Sequence, residues 1–199
     1  MGKKVGECTP EQRLQIVEAG VRAGLKLYPF KANVRELARV RRALGFLRQS
    51  CPESLLDVGS RRGVFPMPFI NEFPHVRVTA LDLLEKRVRF LNELAGGGFG
   101  ELRALQGDIT QAPFADKSFD AVTMLEVLEH IPDAEKAVHE AVRLARRCIA
   151  VTVPSKPDSN PEHIHLLTKD RLTSMFASAG VSRLHFDGVE GHLFISATL

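Results

Sequence analysis

The residues best placed to do chemistry are an acid and two glycines at the end of an apolar run. Residues 55–63 read LLDVGSRRG, so Asp57 stands two positions before Gly59, and Gly63 closes the turn. Glycine tolerates the dihedral angles of such a turn and lets backbone N–H groups approach a ligand closely. A carboxylate at position 57 would repel a pyrophosphate, but it suits a ligand that bears an ammonium group. The dinucleotide pattern G-x-G-x-x-G also fails here, because positions 61 and 64 are Arg and Val.

Two further acids end the next apolar runs of the chain. Asp82 closes the second run, 19 residues after Gly63, and Asp108 follows the third. An acid at such a strand end can accept hydrogen bonds from both hydroxyls of a ribose. At the third strand end, Asp108 could meet an adenine amino group while Ile109 covers a face of the ring. Each acid could instead cap a helix or a turn, but three in succession favour a ligand site, because ligands of α/β folds bind at strand ends.

These acids belong to an alternation of short apolar strands with amphipathic helices. Strands are predicted at residues 54–58, 76–83, 102–106, 119–125, 149–153, 182–187 and 192–198. Helices are predicted at residues 10–28, 33–47, 64–72, 85–94, 134–145 and 168–179. The alternation predicts a parallel sheet with helices on both faces. The last two strands are separated by only a short turn, which predicts an antiparallel hairpin and therefore a mixed sheet.

Composition and charge exclude some classes of protein and leave others open. The chain has 199 residues and 3 cysteines without C-x-x-C spacing, so neither a disulfide framework nor a thiolate zinc site is indicated. No apolar run reaches the roughly 18 residues that cross a bilayer, and we expect a cytoplasmic protein. Residues 1–50 hold 11 Lys and Arg against 4 Glu, whereas the remainder holds 16 basic against 20 acidic residues. The basic N-terminal helices could contact RNA or an acidic protein, although a solvated helical face explains the same charges.

Five segments in this order resemble the class I S-adenosyl-L-methionine (SAM)-dependent methyltransferases of the small methyltransferase-domain type. They are residues 55–60, 80–83, 107–109, 113–122 and 126–133. The resemblance implies a Rossmann-like seven-stranded mixed sheet of order 3-2-1-4-5-7-6, with the last strand antiparallel. It also implies a SAM-binding domain over residues 51–199. We expect the N-terminal helical extension, residues 1–50, to form a lid or an acceptor-recognition element over the strand ends.

The same resemblance implies roles for particular residues, with SAM as the cofactor and S-adenosyl-L-homocysteine (SAH) as the product. The turn would line the methionine part of SAM, Asp82 would hold the ribose, and Asp108 the adenine. The predicted cofactor-binding residues are Asp57, Gly59, Ser60, Gly63, Asp82, Leu83, Asp108, Ile109, Leu125 and Glu126. The chain departs from the family at Arg61, where a second glycine is usual, and this leaves the shape of the turn open.

The acceptor side of the predicted site rests on the segment E-x-x-E-H at residues 126–130. His130 is a candidate general base, because an unperturbed imidazole titrates near neutral pH, although it could instead hydrogen-bond the cofactor loop. Glu129 is a second candidate catalytic residue. Some similar O-methyltransferases use such a set to bind a divalent metal, but we assign no metal here. His163 and His165 could line the acceptor pocket.

The sequence therefore predicts methyl transfer from SAM to an acceptor, for which a small molecule is favoured. Two alternatives remain: a metal-assisted O-methyltransferase acting on RNA ends or a catechol-like ring, and a non-catalytic SAM-fold binding module. Fold and cofactor do not fix the acceptor.

Overall fold

The computed structural model describes residues 37–97, 101–157 and 160–199. All of these residues belong to one unit of the chain, Val34–Leu199. The predicted helix at residues 10–28 and the first residues of the next one lie outside the described ranges. The predicted division of the chain at residue 50 stays a prediction.

A seven-stranded sheet forms the centre of the described unit. Its strands are β1 (Ser54–Val58), β2 (Arg77–Asp82), β3 (Leu102–Gln106), β4 (Phe119–Leu125), β5 (Ala145–Pro154), β6 (Arg183–Val189) and β7 (His192–Thr198). The order is β3-β2-β1-β4-β5-β7-β6, and β7 is antiparallel to both β5 and β6. The predicted order and the antiparallel last strand are confirmed. Because the reversal of strand order falls between β1 and β4, the carboxyl ends of these two strands open onto the crevice in which α/β folds bind ligands.

The described residues form five α-helices, of which the first precedes β1 and the other four connect strands. They are α1 (Ala38–Ser50), α2 (Pro66–Glu72), α3 (Glu85–Gly96), α4 (Ala134–Leu144) and α5 (Lys169–Ser178). Side-chain caps begin two of them, since Asp133 accepts a hydrogen bond from the Lys136 N–H and Thr168 from the Arg171 N–H. Among the described residues, no helix is both long and apolar enough to cross a bilayer.

The helices bury one apolar layer on each face of the sheet. On one face, α4 and α5 pack on the strands through an alanine-rich stripe and through Leu172 and Phe176. On the other face, α1, α2 and α3 enclose a second layer that includes Phe69 and Phe194. The first of these helices thus packs into the same core as the sheet, and its position brings its N-terminal turn into the site described below.

The prediction was wrong about the bounds of several elements, and the start of β5 and the start of α2 have clear physical reasons. β5 begins at Ala145, four residues before the predicted start, because exposed Arg146 and Arg147 belong to the strand although they break the apolar run. α2 begins at Pro66 rather than at residue 64, because residues 61–65 are used by the turn that precedes it.

Candidate active site

A cavity of about 130 Å³ lies at the carboxyl ends of β1 and β4. Six of the predicted site residues line it: Asp57, Gly59, Ser60, Leu125, Glu126 and His130. The other residues in its wall are Arg39, Val40, Val58, Arg61, Val64, Phe65, Asn160 and His163. The parallel strands place these side chains at one edge of the sheet, as their positions at strand ends predict.

Asp57 is the buried acid of this cavity. Its side chain is 2% exposed, and each carboxylate oxygen accepts a hydrogen bond. The Ser60 hydroxyl donates to Oδ2 at 2.6 Å, and the Thr123 hydroxyl donates to Oδ1 at 2.6 Å. Burial raises the pKa of Asp57 from 3.8 to about 7, against the two hydroxyl groups, which lower it, and with a smaller contribution from the charge of Asp82. A nearby positive charge would stabilise the ionised form of this buried carboxyl group, so the site favours a positively charged ligand group.

The glycine turn has the backbone conformation that its sequence predicts. Gly59 and Gly63 have φ values of +67° and +78°, which favour glycine. A Cβ on Gly59 would lie 2.7 Å from Cγ2 of Val127, and one on Gly63 would lie 2.6 Å from Cγ of Met67. Arg61 also adopts a left-handed conformation, with φ +53°, and its side chain is exposed. The backbone therefore makes a glycine-type turn at position 61 despite the arginine.

Asp82 ties this turn to the end of β2. Its Oδ2 accepts a hydrogen bond from the Arg61 N–H at 2.9 Å, and its Oδ1 accepts one from the Leu84 N–H at 3.0 Å. The Arg87 guanidinium lies 3.3 Å from Oδ1. Asp82 is 3% exposed, so in this structure its carboxylate orders the turn beside the cavity.

The residues predicted to hold the adenine lie at the ends of β2 and β3 and outside the cavity wall. Leu83 is 62% exposed, whereas Ile109 is buried. Asp108 accepts a hydrogen bond from the Thr110 N–H at 2.8 Å, so at least one of its oxygens serves as the turn cap that the sequence left open. The Gly107 N–H donates to the Asp82 carbonyl at 3.1 Å and joins the two strand ends. The residues predicted to hold the ribose and the adenine are thus adjacent to each other at the sheet edge.

Glu126 turns away from the rest of the E-x-x-E-H segment. It has φ +59°, and its Oε1 accepts a hydrogen bond from the Thr152 hydroxyl at 2.8 Å. Its Oε2 lies 2.8 Å from Nε2 of His192. The first acid of the segment is therefore held by β5 and β7.

The second acid and the histidine of the segment meet His163 instead. Glu129 is fully buried, and its Oε1 lies 4.0 Å from Nε2 of His130. Nδ1 of His130 lies 2.9 Å from the Glu162 carbonyl oxygen. Because a carbonyl only accepts, Nδ1 carries the proton and Nε2 of the neutral ring keeps its lone pair. The rings of His130 and His163 are edge to face, with centroids 4.8 Å apart, and one ligand atom from each of these three residues lies within 4.8 Å of the other two.

Reasoning from the sequence missed several residues of the cavity wall, above all Arg39. The periodicity of the predicted helix placed this arginine away from the apolar face, yet its side chain is half-buried in the cavity. Val40, Val64 and Phe65 were recognised only as apolar positions. His165, a candidate for the acceptor pocket, contacts the Ile131 carbonyl at 3.0 Å and does not line the cavity. The sequence does not show which end of this helix meets the strand ends, because that depends on tertiary packing. The role of Arg39 in the cavity wall was therefore not predictable from its position in the helix.

Comparison with known proteins identifies the class of this domain. Residues 56–148 match the family model "Methyltransferase domain". A demethylmenaquinone methyltransferase from Thermus thermophilus is 27% identical over 135 residues, which are 66% of this chain and 60% of the relative. A ribosomal RNA small subunit methyltransferase G from Geobacillus thermodenitrificans is 36% identical over 106 residues, 51% of this chain and 40% of the relative. The chain therefore spans less than two thirds of the length of these relatives.

Among solved structures, the fold matches that of 1,6-didemethyltoxoflavin-N1-methyltransferase from Burkholderia thailandensis. That structure holds 1,6-didemethyltoxoflavin and S-adenosylhomocysteine, and it is 19% identical with a TM-score of 0.66 over 100% of this chain and 92% of that one.

The side chains in the cavity fit the amino-acid end of SAM. Asp57 offers a buried carboxylate to an ammonium group, and Gly59 and Ser60 of the turn line the cavity beside it. The matched family model, the strand order and this donor set agree. Residues 56–148 match a methyltransferase domain, and the fold and the cavity around them support a SAM-dependent methyltransferase of class I.

Proposed function

We propose that this chain transfers the methyl group of SAM to a nucleophilic oxygen or nitrogen of a small-molecule acceptor. The observation that carries the proposal is the buried Asp57 carboxyl in the wall of the cavity, beside the turn that begins at Gly59. When bound, SAM supplies an electrophilic methyl group. The protein then has to align the acceptor with that group and to remove a proton where the acceptor carries one.

His130 is the proposed base. Its Nδ1–H is directed at the Glu162 carbonyl, so Nε2 is the nitrogen that can take a proton from the acceptor. The ring lines the cavity together with Asn160 and His163, and all three are side chains that can hydrogen-bond a neutral acceptor. Oε1 of Glu129 lies 4.0 Å from this same Nε2, where a carboxylate would stabilise the imidazolium that forms.

A small acceptor is the favoured substrate, because an RNA acceptor would have to present a flipped-out base or a chain end to a cavity that SAM also has to enter. Two of the similar proteins are named for small molecules, demethylmenaquinone and 1,6-didemethyltoxoflavin, and one is named for ribosomal RNA. Methylation assays with radiolabelled SAM should therefore place the label in the low-mass fraction of a cell extract. Label confined to the RNA fraction would refute the small-molecule proposal.

Calorimetry with SAH tests the cofactor site itself. The wild type should bind SAH, and Asp82→Ala should weaken binding, because the variant loses the carboxylate at the predicted ribose position and the contact that orders Arg61. Asp133→Ala is the matched control, since it removes an acid that caps α4 rather than one at the sheet edge. Absence of SAH binding by the wild type, or equal binding by Asp82→Ala, would defeat the proposal.

A metal-assisted reaction is the second candidate, and the cluster of Glu129, His130 and His163 favours it. A carboxylate and two imidazoles suit a divalent metal, which would lower the pKa of an acceptor hydroxyl. Glu126 is not part of this cluster, because Thr152 and His192 engage its carboxylate. Activity that is lost with a chelator, restored by Mg²⁺ and abolished in His163→Ala would support this candidate. Activity indifferent to the chelator would exclude it.

A further inference from the structure

Glu126 is the second acid in the wall of the cavity, and three hydrogen-bonding contacts fix its position. Its backbone N–H donates to the Thr152 carbonyl at 3.0 Å. The Thr152 hydroxyl donates to Oε1 at 2.8 Å, and Nε2 of His192 lies 2.8 Å from Oε2. The side chain of Glu126 is still 16% exposed, and the residue lines the cavity together with His130. The carboxylate is therefore held in place beside the space that a ligand would occupy.

The partner of this carboxylate, His192, is the first residue of β7. Its Nδ1 lies 2.8 Å from the Glu190 carbonyl oxygen. Because a carbonyl only accepts, Nδ1 carries a proton, and a hydrogen bond between Nε2 and the Glu126 carboxylate needs a second proton. The histidine in this arrangement is an imidazolium, so the pair has no net charge. A charge-assisted hydrogen bond of this kind is about twice as strong as one between neutral groups.

The contacts of Glu126 leave its carboxylate able to accept further hydrogen bonds. Each oxygen of a carboxylate can accept about two hydrogen bonds, and His192 and Thr152 each engage one oxygen. The acceptor sites that remain suit an N–H or O–H group of a ligand. Since the carboxylate is already ordered, such a ligand group would not have to immobilise it on binding.

We propose that Glu126 binds a hydrogen-bond donor of the methyl acceptor, and that His192 is the positioning residue that holds Glu126 for this contact. The acceptor then carries an N–H or O–H group besides the proton that His130 removes. Glu126 and His130 lie in the same wall, so together they orient the acceptor. This inference rests on the proposed function, because it takes the cavity as the site of methyl transfer.

The test compares cofactor binding with methyl transfer. SAH affinity is measured by calorimetry, and the transfer rate is measured with radiolabelled SAM and the low-mass fraction of a cell extract. Glu126→Met and His192→Leu should each lower the rate about tenfold to a hundredfold, the range expected for the loss of a hydrogen bond to a charged group. Both should leave SAH affinity unchanged, which also shows that the variants are folded. His192→Gln keeps a donor for Oε2 and should recover part of the rate.

A double variant tests whether His192 acts through Glu126. In the background of Glu126→Met, His192→Leu should lower the rate no further, because no carboxylate is left to hold. His185→Leu is the matched control, since His185 is an exposed histidine of β6 that contacts Asp187. It should match the wild type in both assays. Should His192→Leu not fold, His192→Gln still tests the contact, because its rate should fall between those of the wild type and Glu126→Met.

The outcomes separate this inference from the proposed function. A wild-type rate in Glu126→Met or in the histidine variants would overturn the inference alone. A folded Glu126→Met that loses SAH affinity in step with the rate would overturn it too, because Glu126 would then bind the cofactor, as the sequence predicted. Additive losses in the double variant would overturn the positioning role of His192. Absence of SAH binding by the wild type would overturn the proposed function and the inference together.

Discussion

The sharpest prediction concerns the pH dependence of stability caused by Asp57. Burial raises the pKa of this carboxyl from 3.8 to about 7 in the folded protein. A group whose pKa is raised by folding contributes stability that is present below its unfolded pKa and is lost as the pH rises through the folded value. The window therefore runs from pH 3.8 to about pH 7, and the whole loss is about 4 kcal/mol. Asp57→Asn removes this loss, because the amide does not ionise.

The assay is urea unfolding of wild type and Asp57→Asn at about pH 5 and about pH 8.5. The free energy of unfolding of the variant, relative to the wild type, should rise by about 3 kcal/mol between these two conditions. The same variant should lose affinity for SAH at the higher pH, since the ionised carboxylate is the form that meets an ammonium group. A variant that is more stable yet binds the cofactor poorly would show that the buried acid is maintained for binding.

Asp120 supplies a control of opposite sign. Its burial opposes ionisation, but the Glu53 N–H, the Ser54 hydroxyl and Arg146 outweigh burial and lower the pKa of Asp120. A lowered pKa gives stability that is present above the unfolded value and is lost as the pH falls. Asp120→Asn should therefore be less stable than the wild type at neutral pH, and the deficit should shrink in acid. A stability difference for Asp57→Asn that is flat with pH would refute the account of the buried acid.

Three other predictions follow from the turn and from the donors to the acid. Gly59→Ala should lower the free energy of unfolding by about 1–3 kcal/mol in urea titrations, because its Cβ would lie 2.7 Å from Cγ2 of Val127; unchanged stability would contradict the close contact. Arg61→Gly should be more stable than Arg61→Ala by about 1 kcal/mol in the same assay, because alanine keeps a Cβ at φ +53°; equal stabilities would contradict the strain. Thr123→Val removes the hydroxyl that donates to Oδ1 of Asp57 and lowers its pKa. The midpoint of the pH dependence of SAH affinity should therefore move above about 7. A midpoint that stays in place would show that the hydroxyl does not stabilise the ionised carboxylate.

The sequence predicted the sheet well because its signals are local. Alternating apolar runs and helices determined the strands, and β3, β4 and β7 have the predicted bounds. The acids at the strand ends also came to one edge of the sheet, since the carboxyl ends of parallel strands meet there. The bounds failed where a strand continued through charged residues, at Arg146 and Arg147 of β5. Those side chains are exposed, so no apolar pattern marks them.

The candidate site was predictable only in part, because two of its features depend on tertiary structure. The segment E-x-x-E-H suggests one cluster, but the left-handed backbone at Glu126 sends the first acid toward β5 and β7. Residues His130 and Glu129 are left to meet His163, which lies 33 positions further along the chain than His130. No spacing rule joins these two histidines. In the same way, Arg39 reaches the cavity only because α1 packs on the sheet.

The two charges of the cavity wall give a common reason for these arrangements. In the protein without ligand, Asp57 is a buried acid with a raised pKa, and Arg39 is a half-buried cation with no partner among the described residues. Each costs stability alone, and a ligand with an ammonium and a carboxylate would remove both costs at once. 5′-Methylthioadenosine lacks both groups, so calorimetry should show that its affinity, unlike that of SAH, is independent of pH across the window of Asp57. A pH dependence shared by both ligands would place the titrating group outside the amino-acid part of the site.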